Sequence, residues 1–455
     1  MSDKLNATKV EEIEMDNLLK GMDNQKSRWI NYKVSLLTGG GNFLDGYNIL
    51  IASFALIGIR QVFHPSLFVL GFIGTAVILG DAIGGFVSGY VTDRMGRKLL
   101  FLLDLIFFVV FAGAQFFVTN IPELVTLRVL VGFGIGMDFP IATSYMSEFS
   151  PVKNRGKFLA LNPTFFNIAG IVVVLVYLMF TVFHVPSEIA WRYLLASSVV
   201  PAIILLIFRI GMPESPRWLI SKGKTEDARR VIEEVTGNKY SGTIKTVIPK
   251  KSRYYLELFQ SFARDAIFLG VFFLLFQIAF VGNTIFAPEF EASLHIPSIA
   301  SSMIYWILIV VGDLICIAII DPFGRKRSSL LGWAGMVATY VVLFLAPVGN
   351  SILLIAGFTL FALFVGIGPG STHLMFSPEL FPTRVRATAE GWKQLIGRLG
   401  AVLVGTFVLP ALILRNEVLL IIAISVIGFL WTLLLAKETK GKSLEDLTES
   451  SIRRG

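Results

Sequence analysis

The chain contains apolar segments long enough to cross a lipid bilayer, and they recur along almost the whole sequence. A helix needs about 20 residues to span the hydrocarbon core. The sequence meets this requirement at 33–59, 68–92, 99–119, 123–146, 157–183, 191–211, 264–288, 297–320, 328–347, 351–376, 387–413 and 416–436. These segments lack the alternation of barrel strands, and a spanning helix satisfies its own backbone hydrogen bonds. The sequence therefore predicts an all-α membrane protein with twelve transmembrane helices.

The net charge of +8 is distributed unevenly, with the basic residues in alternate loops. The loops at 94–98, 153–157, 325–327 and 384–386 are rich in Lys and Arg, whereas those at 60–67 and 347–350 carry almost none. Basic loops of membrane proteins lie on the cytoplasmic side. This distribution predicts a multi-pass protein of the plasma membrane with both termini in the cytoplasm, and it argues against a nucleic-acid partner.

The sequence divides into two similar halves around one long polar stretch. The motif DRMGRK at 93–98 recurs as DPFGRK at 321–326, an offset of 228 residues, and Glu148 recurs as Glu379, an offset of 231. Transporters with such repeats rock two bundles about a central site. We expect a cytoplasmic segment at 1–32, six-helix bundles at 33–211 and 264–436, a cytoplasmic linker at 212–263 with a surface helix at 225–236, and a cytoplasmic tail at 437–455.

These motifs resemble those of the major facilitator superfamily over essentially the whole chain. The pattern GxxxDRxGRK at 89–98 fits its loop between the second and third helices, and RxxxGxGxG at 128–136 fits its fourth helix. PESPRWL at 213–219 and ETKG at 438–441 are similar to the ends of each half in sugar porters. The resemblance implies two six-helix bundles and transport by alternating access, with no cofactor and no enzyme activity.

Other motifs look more like phosphate:proton and organic-acid:proton symporters. They are DGYN at 45–48, GMDFP at 136–140, and GP at 368–369 leading to FPTR at 381–384. The phosphate pattern is broken, because Phe139 stands where that family has Tyr, Gln277 replaces an Asp and Arg398 replaces a Lys. Organic-anion transporters are similar to this chain at Arg398, since they carry Arg in the same Arg-x-Gly context.

Three ionisable residues of the first and fourth spans are candidates for proton coupling. Asp45 and Asp138 lie in the middle third of the bilayer, where burial drives a carboxyl toward binding protons near neutral pH. Arg128 precedes Asp138 in the fourth span and would oppose this effect. The alternative is a static ion pair between Asp45 and Arg128.

Arg398 in the eleventh span is the candidate anion-binding residue, since a forked guanidinium suits a carboxylate or a phosphate. The alternative is an ion pair with Asp313 of the eighth span. Glu390 and Lys393 are expected to form a local pair. Further candidates for lining a central cavity are Gln277, Asn283, Asn162, Asn167 and Trp392. Each of these could equally form hydrogen bonds between helices or anchor the chain at the membrane interface.

The loop motifs suggest a gate at the cytoplasmic face. Glu148 is expected to pair with Arg155, and Glu379 with Arg386, while the family resemblance implies that Asp93 contacts the eleventh helix. The candidate gating residues are Asp93, Arg94, Arg97, Glu148, Arg155, Asp321, Arg325, Glu379 and Arg386. The alternative is that these pairs only anchor their loops.

The sequence favours a proton-coupled symporter of a small anionic metabolite, either an organic acid or phosphate. The alternative is a proton-coupled sugar transporter, and a solute-sensing receptor is less favoured because the terminal segments are short. Neither metal-ligand spacing nor a nucleophile–base set is present, and the single Cys316 excludes an internal disulfide. The expected partners are a small solute, protons and the lipid bilayer, and the expected state is a monomer.

Overall fold

The structure, a computed structural model, describes residues 28–238, 254–285, 298–346, 351–383, 385–404, 406 and 414–441. Within these ranges the chain is almost entirely helical and contains no strand. The helices of the first half and the linker are α1 (Trp29–Phe63), α2 (Leu67–Met95), α3 (Arg97–Ala114), α4 (Ile121–Phe149), α5 (Arg155–Val182), α6 (Ser187–Ala196), α7 (Val199–Arg209), α8 (Pro216–Ser221), α9 (Thr225–Thr236) and α10 (Tyr254–Ser261). Those of the second half are α11 (Ala263–Ile285), α12 (Ser298–Phe323), α13 (Arg325–Leu345), α14 (Ser351–Ile367), α15 (Pro369–Leu380), α16 (Arg386–Leu403) and α17 (Leu414–Leu435).

Within the described residues, eleven helical stretches are long and apolar enough to cross a membrane. The sixth span consists of α6 and α7 in sequence, and the tenth consists of α14 and α15. The remaining spanning helix, the eleventh in chain order, is α16, which carries Arg386, Glu390, Lys393 and Arg398 and is therefore too polar to qualify by composition. The predicted all-α architecture with twelve membrane helices in two six-helix bundles is confirmed.

Two helix pairs form the most extensive contacts between the halves. α2 of the first half packs against α16 of the second, and α5 packs against α12. The α2–α16 contact depends on glycine, because a Cβ added at Gly89 would lie 2.5 Å from the backbone oxygen of Ala387, and one at Gly391 would lie 2.3 Å from that of Gly85. Small residues allow membrane helices to approach this closely. The same two interfaces carry several of the polar residues that cross between the halves, including the Arg398–Asp81 and Asn167–Asp313 contacts.

The tenth span is broken at Gly368–Pro369. Pro369 has no N–H to donate, so the helical hydrogen-bond ladder cannot continue through it. The backbone N–H of Gly368 bonds back to the oxygens of Phe364 and Val365, and α15 starts again at Pro369. The break turns the start of α15 toward the centre of the molecule, where polar side chains can face a cavity.

Short helices follow the first bundle in the linker. α9 extends over Thr225–Thr236, where the sequence predicts a surface helix, and it packs against α8. α10 lies beside α16 and α11. Its Tyr255 hydroxyl donates to the backbone oxygen of Phe86 on α2, so the linker contacts both halves at the same end.

Candidate transport site

A small cavity lies between the two bundles at mid-depth. Its volume is about 50 Å³, which admits a few water molecules at roughly 10–15 Å³ each. Its walls are mostly aromatic and aliphatic, and they are formed by Asn42, Phe139, Pro163, Phe166, Asn167, Phe273, Phe276, Gln277, Phe280, Ile309, Val365, Gly370, His373, Leu374 and Arg398. Both halves contribute, so the cavity is the place where a solute would contact both moving parts.

Arg398 is the cationic group of this lining. Its Nε lies 2.7 Å from the Asp81 carboxylate on α2, and its guanidinium carbon lies 5.4 Å from the ring centre of Phe139. The described residues offer its two terminal nitrogens no hydrogen-bond partner. The expected alternative, an ion pair with Asp313, is wrong, because Asp313 bonds to Asn167 and Ser371 instead. Asp81, which the sequence left without a role, is the partner.

The uncharged candidates fall into two groups. Gln277 and Asn167 line the cavity, and the Asn167 amide donates to Asp313 at 2.8 Å. Asn162 is buried but is not among the lining residues. Trp392 also lies outside the lining, because its indole N–H donates to the oxygen of Ala266 at 3.1 Å and its ring packs on Phe259. Asn283 belongs to α11, but its side chain lies outside the described part of the chain.

Sequence inspection missed Asn42 and His373. The side-chain amide nitrogen and oxygen of Asn42 are buried and have no hydrogen-bond partner in the described structure, and the side chain lines the cavity. His373 lies on α15 just after the helix break, with its ring 4.6 Å from that of Phe273. Lys393 lies 3.2 Å from the His373 ring nitrogen Nδ1 and 2.5 Å from Glu390, so Glu390 and Lys393 do form the expected local pair. The sequence signal that could have identified His373 is its position shortly after Gly368–Pro369, where a helix is expected to break.

A cluster of three carboxyls and one guanidinium lies inside the first bundle. The Arg209 guanidinium, at the end of α7, lies 2.9 Å from Asp138 and 3.2 Å from Asp104. Asp45 lines a void of about 10 Å³ together with Asp104 and Asp138, a volume of about one water molecule. One cation cannot neutralise three carboxylates, and buried like charges cannot all ionise. The cluster therefore has the composition of a proton-binding site.

Gly41 makes this cluster sterically possible. A Cβ at that position would lie 2.1 Å from the Asp138 carboxylate and 2.2 Å from the Arg209 guanidinium. Arg209 also donates to the backbone oxygen of Leu37 at 3.2 Å, and its guanidinium carbon lies 3.4 Å from the ring centre of Phe101. These contacts hold the guanidinium in one orientation.

Arg128 does not belong to the cluster. Its Nε donates to the backbone oxygen of Ile73 at 2.7 Å, and within the described residues it forms no ion pair with Asp45. The expected static pair between Asp45 and Arg128 is therefore wrong, and Arg209 is the cation near the two aspartates. Sequence inspection missed Arg209 and left Asp104 unassigned, although each is an ionisable residue within an otherwise apolar span.

The loop motifs form two similar ion networks at one end of the molecule, called here the basic end. In the first half, Arg97 lies 3.4 Å from Asp93 and 3.2 Å from Glu148. In the second half, Arg325 lies 3.2 Å from Asp321 and 2.8 Å from Glu379. All of these side chains are buried or nearly so, as is Arg155, whereas Arg94 is exposed.

The second bundle supplies partners to the first at this end. Arg386 of α16 lies 2.9 Å from Glu148, a pair that the sequence did not predict. The Asp93 carboxylate accepts from the backbone N–H of Thr388 at 2.9 Å and from its hydroxyl at 2.8 Å, which is a contact with the eleventh spanning helix. On the other side, Asp321 accepts from the backbone N–H of Gly156 at 3.2 Å. The basic end is therefore closed by contacts between the halves.

Two glutamates outside the predicted set cap helices at the basic end. Glu214 accepts from the backbone N–H groups of Arg97 and Lys98 at 3.0 and 3.1 Å, at the start of α3. Glu438 occupies the equivalent place in the second half, accepting from Arg325 at 3.0 Å at the start of α13. A carboxylate is favourable at a helix N-terminus. The repeated PESP and ETKG sequences thus have a structural reason, since each places one cap.

Comparison with known proteins agrees with this architecture. The family described as "Sugar (and other) transporter" matches residues 34–450. The chain is 28% identical over 433 residues to the inner membrane metabolite transport protein YgcS of Escherichia coli, covering 93% of this chain and 95% of that protein. It is 27% identical over 449 residues to an arabinose-proton symporter of Bacillus subtilis, covering 92% and 95%. A structure of the major facilitator proton:xylose symporter XylE bound to 6-bromo-6-deoxy-D-glucose is similar in fold, with a TM-score of 0.78, 22% identity, and 92% and 98% of the two chains covered.

Proposed function

Because the chain belongs to the family of sugar and other transporters, we propose that it is a proton-coupled symporter of a small organic anion. It works by alternating access, with the solute held between the bundles. The basic end is the cytoplasmic one, both termini are cytoplasmic, and the protein acts as a monomer in the plasma membrane. Because the basic end is closed, the described conformation is not open to the cytoplasm.

The observation that supports an anionic solute is the Arg398 guanidinium in a mostly apolar cavity. Its two terminal nitrogens have no partner among the described residues, while Asp81 holds its Nε. An arginine fork in this position can bind a carboxylate through two parallel hydrogen bonds. The surrounding rings of Phe139, Phe273 and Phe276 favour an apolar body over bare phosphate.

The carboxyl cluster of the first bundle supports proton coupling. Among the described residues, Asp104 and Asp138 pair with Arg209 and Asp45 lines the same void, so this cluster of three carboxyls and one cation approaches neutrality by binding protons. The membrane potential supplies about 2.3 kcal/mol per charge at 100 mV. A proton gradient acting through this cluster would drive accumulation of the solute that binds in the neighbouring cavity, and the membrane potential adds to it when a transport cycle moves net positive charge.

Uptake by the purified protein in liposomes tests this function. Radiolabelled benzoate and acetate are compared with D-xylose, D-glucose and phosphate under an imposed proton gradient, in wild type and in Arg398→Lys. We expect carboxylate uptake that is faster than in protein-free liposomes and is weakened by the substitution. If only sugars were taken up, and at the same rate in wild type and Arg398→Lys, an organic anion as the solute would be ruled out.

The second candidate is a proton-coupled sugar transporter, and one observation favours it. The amides of Asn42 and Gln277 line the cavity with hydrogen-bonding atoms that have no partner in the described structure. Amides of this kind pair readily with hydroxyl groups. Related proteins include an arabinose-proton symporter, and the same competition assay separates the two candidates.

A further inference from the structure

Asp313 is a buried acid that the cluster in the first bundle does not include. It lies in the middle of α12, fully buried, and forms no ion pair within the described residues. Its Oδ2 accepts from the Asn167 amide at 2.8 Å, and its Oδ1 lies 2.9 Å from the Ser371 hydroxyl oxygen. An ionised carboxylate with no cation is costly at this depth.

The contacts of the Ser371 hydroxyl favour the protonated form of the acid. The Ser371 hydroxyl oxygen also lies 2.7 Å from the backbone oxygen of Gly366. No backbone N–H of the described residues donates to that oxygen, because the tenth span is broken at Gly368–Pro369. A carbonyl oxygen can only accept, and a hydroxyl has one hydrogen to give. The single hydrogen of Ser371 can serve only one of its two neighbours, so an ionised Asp313 leaves one contact without a hydrogen, whereas a protonated Asp313 lets Ser371 donate to Gly366 and accept from the carboxyl.

The position of this acid relates it to the movement of the halves. Asn167 belongs to α5 of the first bundle and lines the central cavity, whereas Asp313 and Ser371 belong to the second bundle. The carboxyl is thus enclosed only while α5 and α12 are packed together. Separation of the two helices would remove the Asn167 amide and expose the acid to water.

The ionisable groups on the surrounding helices leave Asp313 without a charged partner. None forms an ion pair or hydrogen bond with it, including its own helix neighbour Cys316. The described titratable side chains on α5, α12, α13 and α15 are Arg155, Lys157, Tyr177, Tyr305, Cys316, Asp321, Arg325, Lys326, Arg327, Tyr340, His373 and Glu379, and α14 has none. Of these, His373 alone lines the central cavity.

We propose that Asp313 is a second proton-binding site, which holds its proton while the bundles are closed around the cavity and releases it when α5 and α12 separate. The site binds a proton through Oδ1, with the Ser371 hydroxyl oxygen as acceptor. Its use in transport rests on the proposed proton coupling, whereas the protonation itself does not. With Asp313 and the first-bundle cluster both loaded, a monovalent anion would enter with more than one proton and carry net positive charge.

Infrared spectroscopy of the full-length protein in lipid, without solute, tests the protonation. A neutral carboxyl has a C=O stretch that an ionised one lacks. We expect this absorbance at neutral pH in the wild type. In Asp313→Asn the absorbance should fall by about the contribution of one carboxyl group. The matched control is Asp265→Asn, because Asp265 forms an ion pair with Lys437 at 2.6 Å, so this substitution should leave the absorbance unchanged.

A second variant keeps the test decisive if Asp313→Asn folds poorly. Ser371→Ala removes the acceptor, so the Asp313 band should remain but move to higher frequency. Identical carboxyl spectra in wild type, Asp313→Asn and Ser371→Ala would overturn the proposal. Since no solute is added, a failed uptake assay would count against the proposed function and leave this result standing.

Discussion

The basic end and the membrane interior of this duplicated chain differ in how far the two halves have remained alike. At the basic end the halves match residue by residue: Arg97, Asp93 and Glu148 correspond to Arg325, Asp321 and Glu379. At mid-depth they do not match. The first bundle holds three carboxyls around Arg209, whereas the second presents Arg398 and the Lys393–His373 pair near the cavity.

This difference is consistent with different roles for the two halves at mid-depth and a shared role at the basic end. A gate must close symmetrically about the axis between the halves, so its parts are kept in both copies. Solute and proton have opposite charges, so they need different surroundings and one copy can specialise for each. We therefore propose that the acidic first bundle binds protons and that the cationic side of the second binds the anion, with Asp313 at the interface between them.

The largest expected effect comes from removing the proton carriers of the first bundle. Asp45→Asn should abolish accumulation against a gradient, which is about 50-fold at 100 mV for a cycle that moves one net positive charge, while counterflow exchange continues. The measurement is steady-state uptake in liposomes with and without a proton gradient. Undiminished accumulation in Asp45→Asn would remove this residue from the coupling mechanism.

The corresponding change in the second bundle is Arg398→Lys, which keeps the charge but removes the fork. Loss of a charge-assisted hydrogen bond of about 1.5–3 kcal/mol should weaken carboxylate binding by roughly 10- to 100-fold. Solute concentration at half-maximal uptake reports this change. Arg128→Lys is the matched control, since Arg128 is buried on a backbone oxygen away from the cavity and should leave this concentration nearly unchanged.

A smaller effect should distinguish ion pairs between halves from those within a half. Glu148→Gln weakens the contact with Arg386 across the halves together with the Arg97 pair, whereas Asp265→Asn weakens the Lys437 pair inside one half. The first should shift the population toward an open basic end by about 1–3 kcal/mol. Distances between spin labels at Lys157→Cys and Lys326→Cys, in a Cys316→Ser background, measure this opening. Equal distance distributions in both variants would refute the distinction.

The smallest effect should come from the helix caps. Glu214→Gln and Glu438→Gln each weaken the cap of one repeated helix, α3 or α13. Each should lower the unfolding free energy by about 0.5–2 kcal/mol, with similar values because the two caps are equivalent. Thermal unfolding in detergent measures both, and a large loss in one variant alone would show that the basic end is less symmetric than its contacts suggest.

The sequence was sufficient for the architecture because apolar length and repeated motifs are local signals. It predicted twelve spanning helices, the surface helix at Thr225–Thr236 and the Glu390–Lys393 pair, which is three residues apart on one helix. Ion pairs between residues on different helices were harder to predict from the sequence. The ion pairs weighed as alternatives from the sequence were Asp45 with Arg128 and Arg398 with Asp313, whereas the structure pairs Asp138 with Arg209 and Arg398 with Asp81. Such pairs depend on helix rotation and on close packing at Gly41, which no local pattern encodes.

The most direct test of the central claim is proton entry driven by a solute gradient. Liposomes that contain the protein and a pH-sensitive dye receive benzoate, acetate, D-xylose or D-glucose outside, with protein-free liposomes correcting for passive entry of the acids. The account predicts acidification with a carboxylate, its loss in Asp45→Asn, and a higher half-saturating concentration in Arg398→Lys. Acidification driven by a sugar but not by any carboxylate, and unaffected by Arg398→Lys, would contradict it.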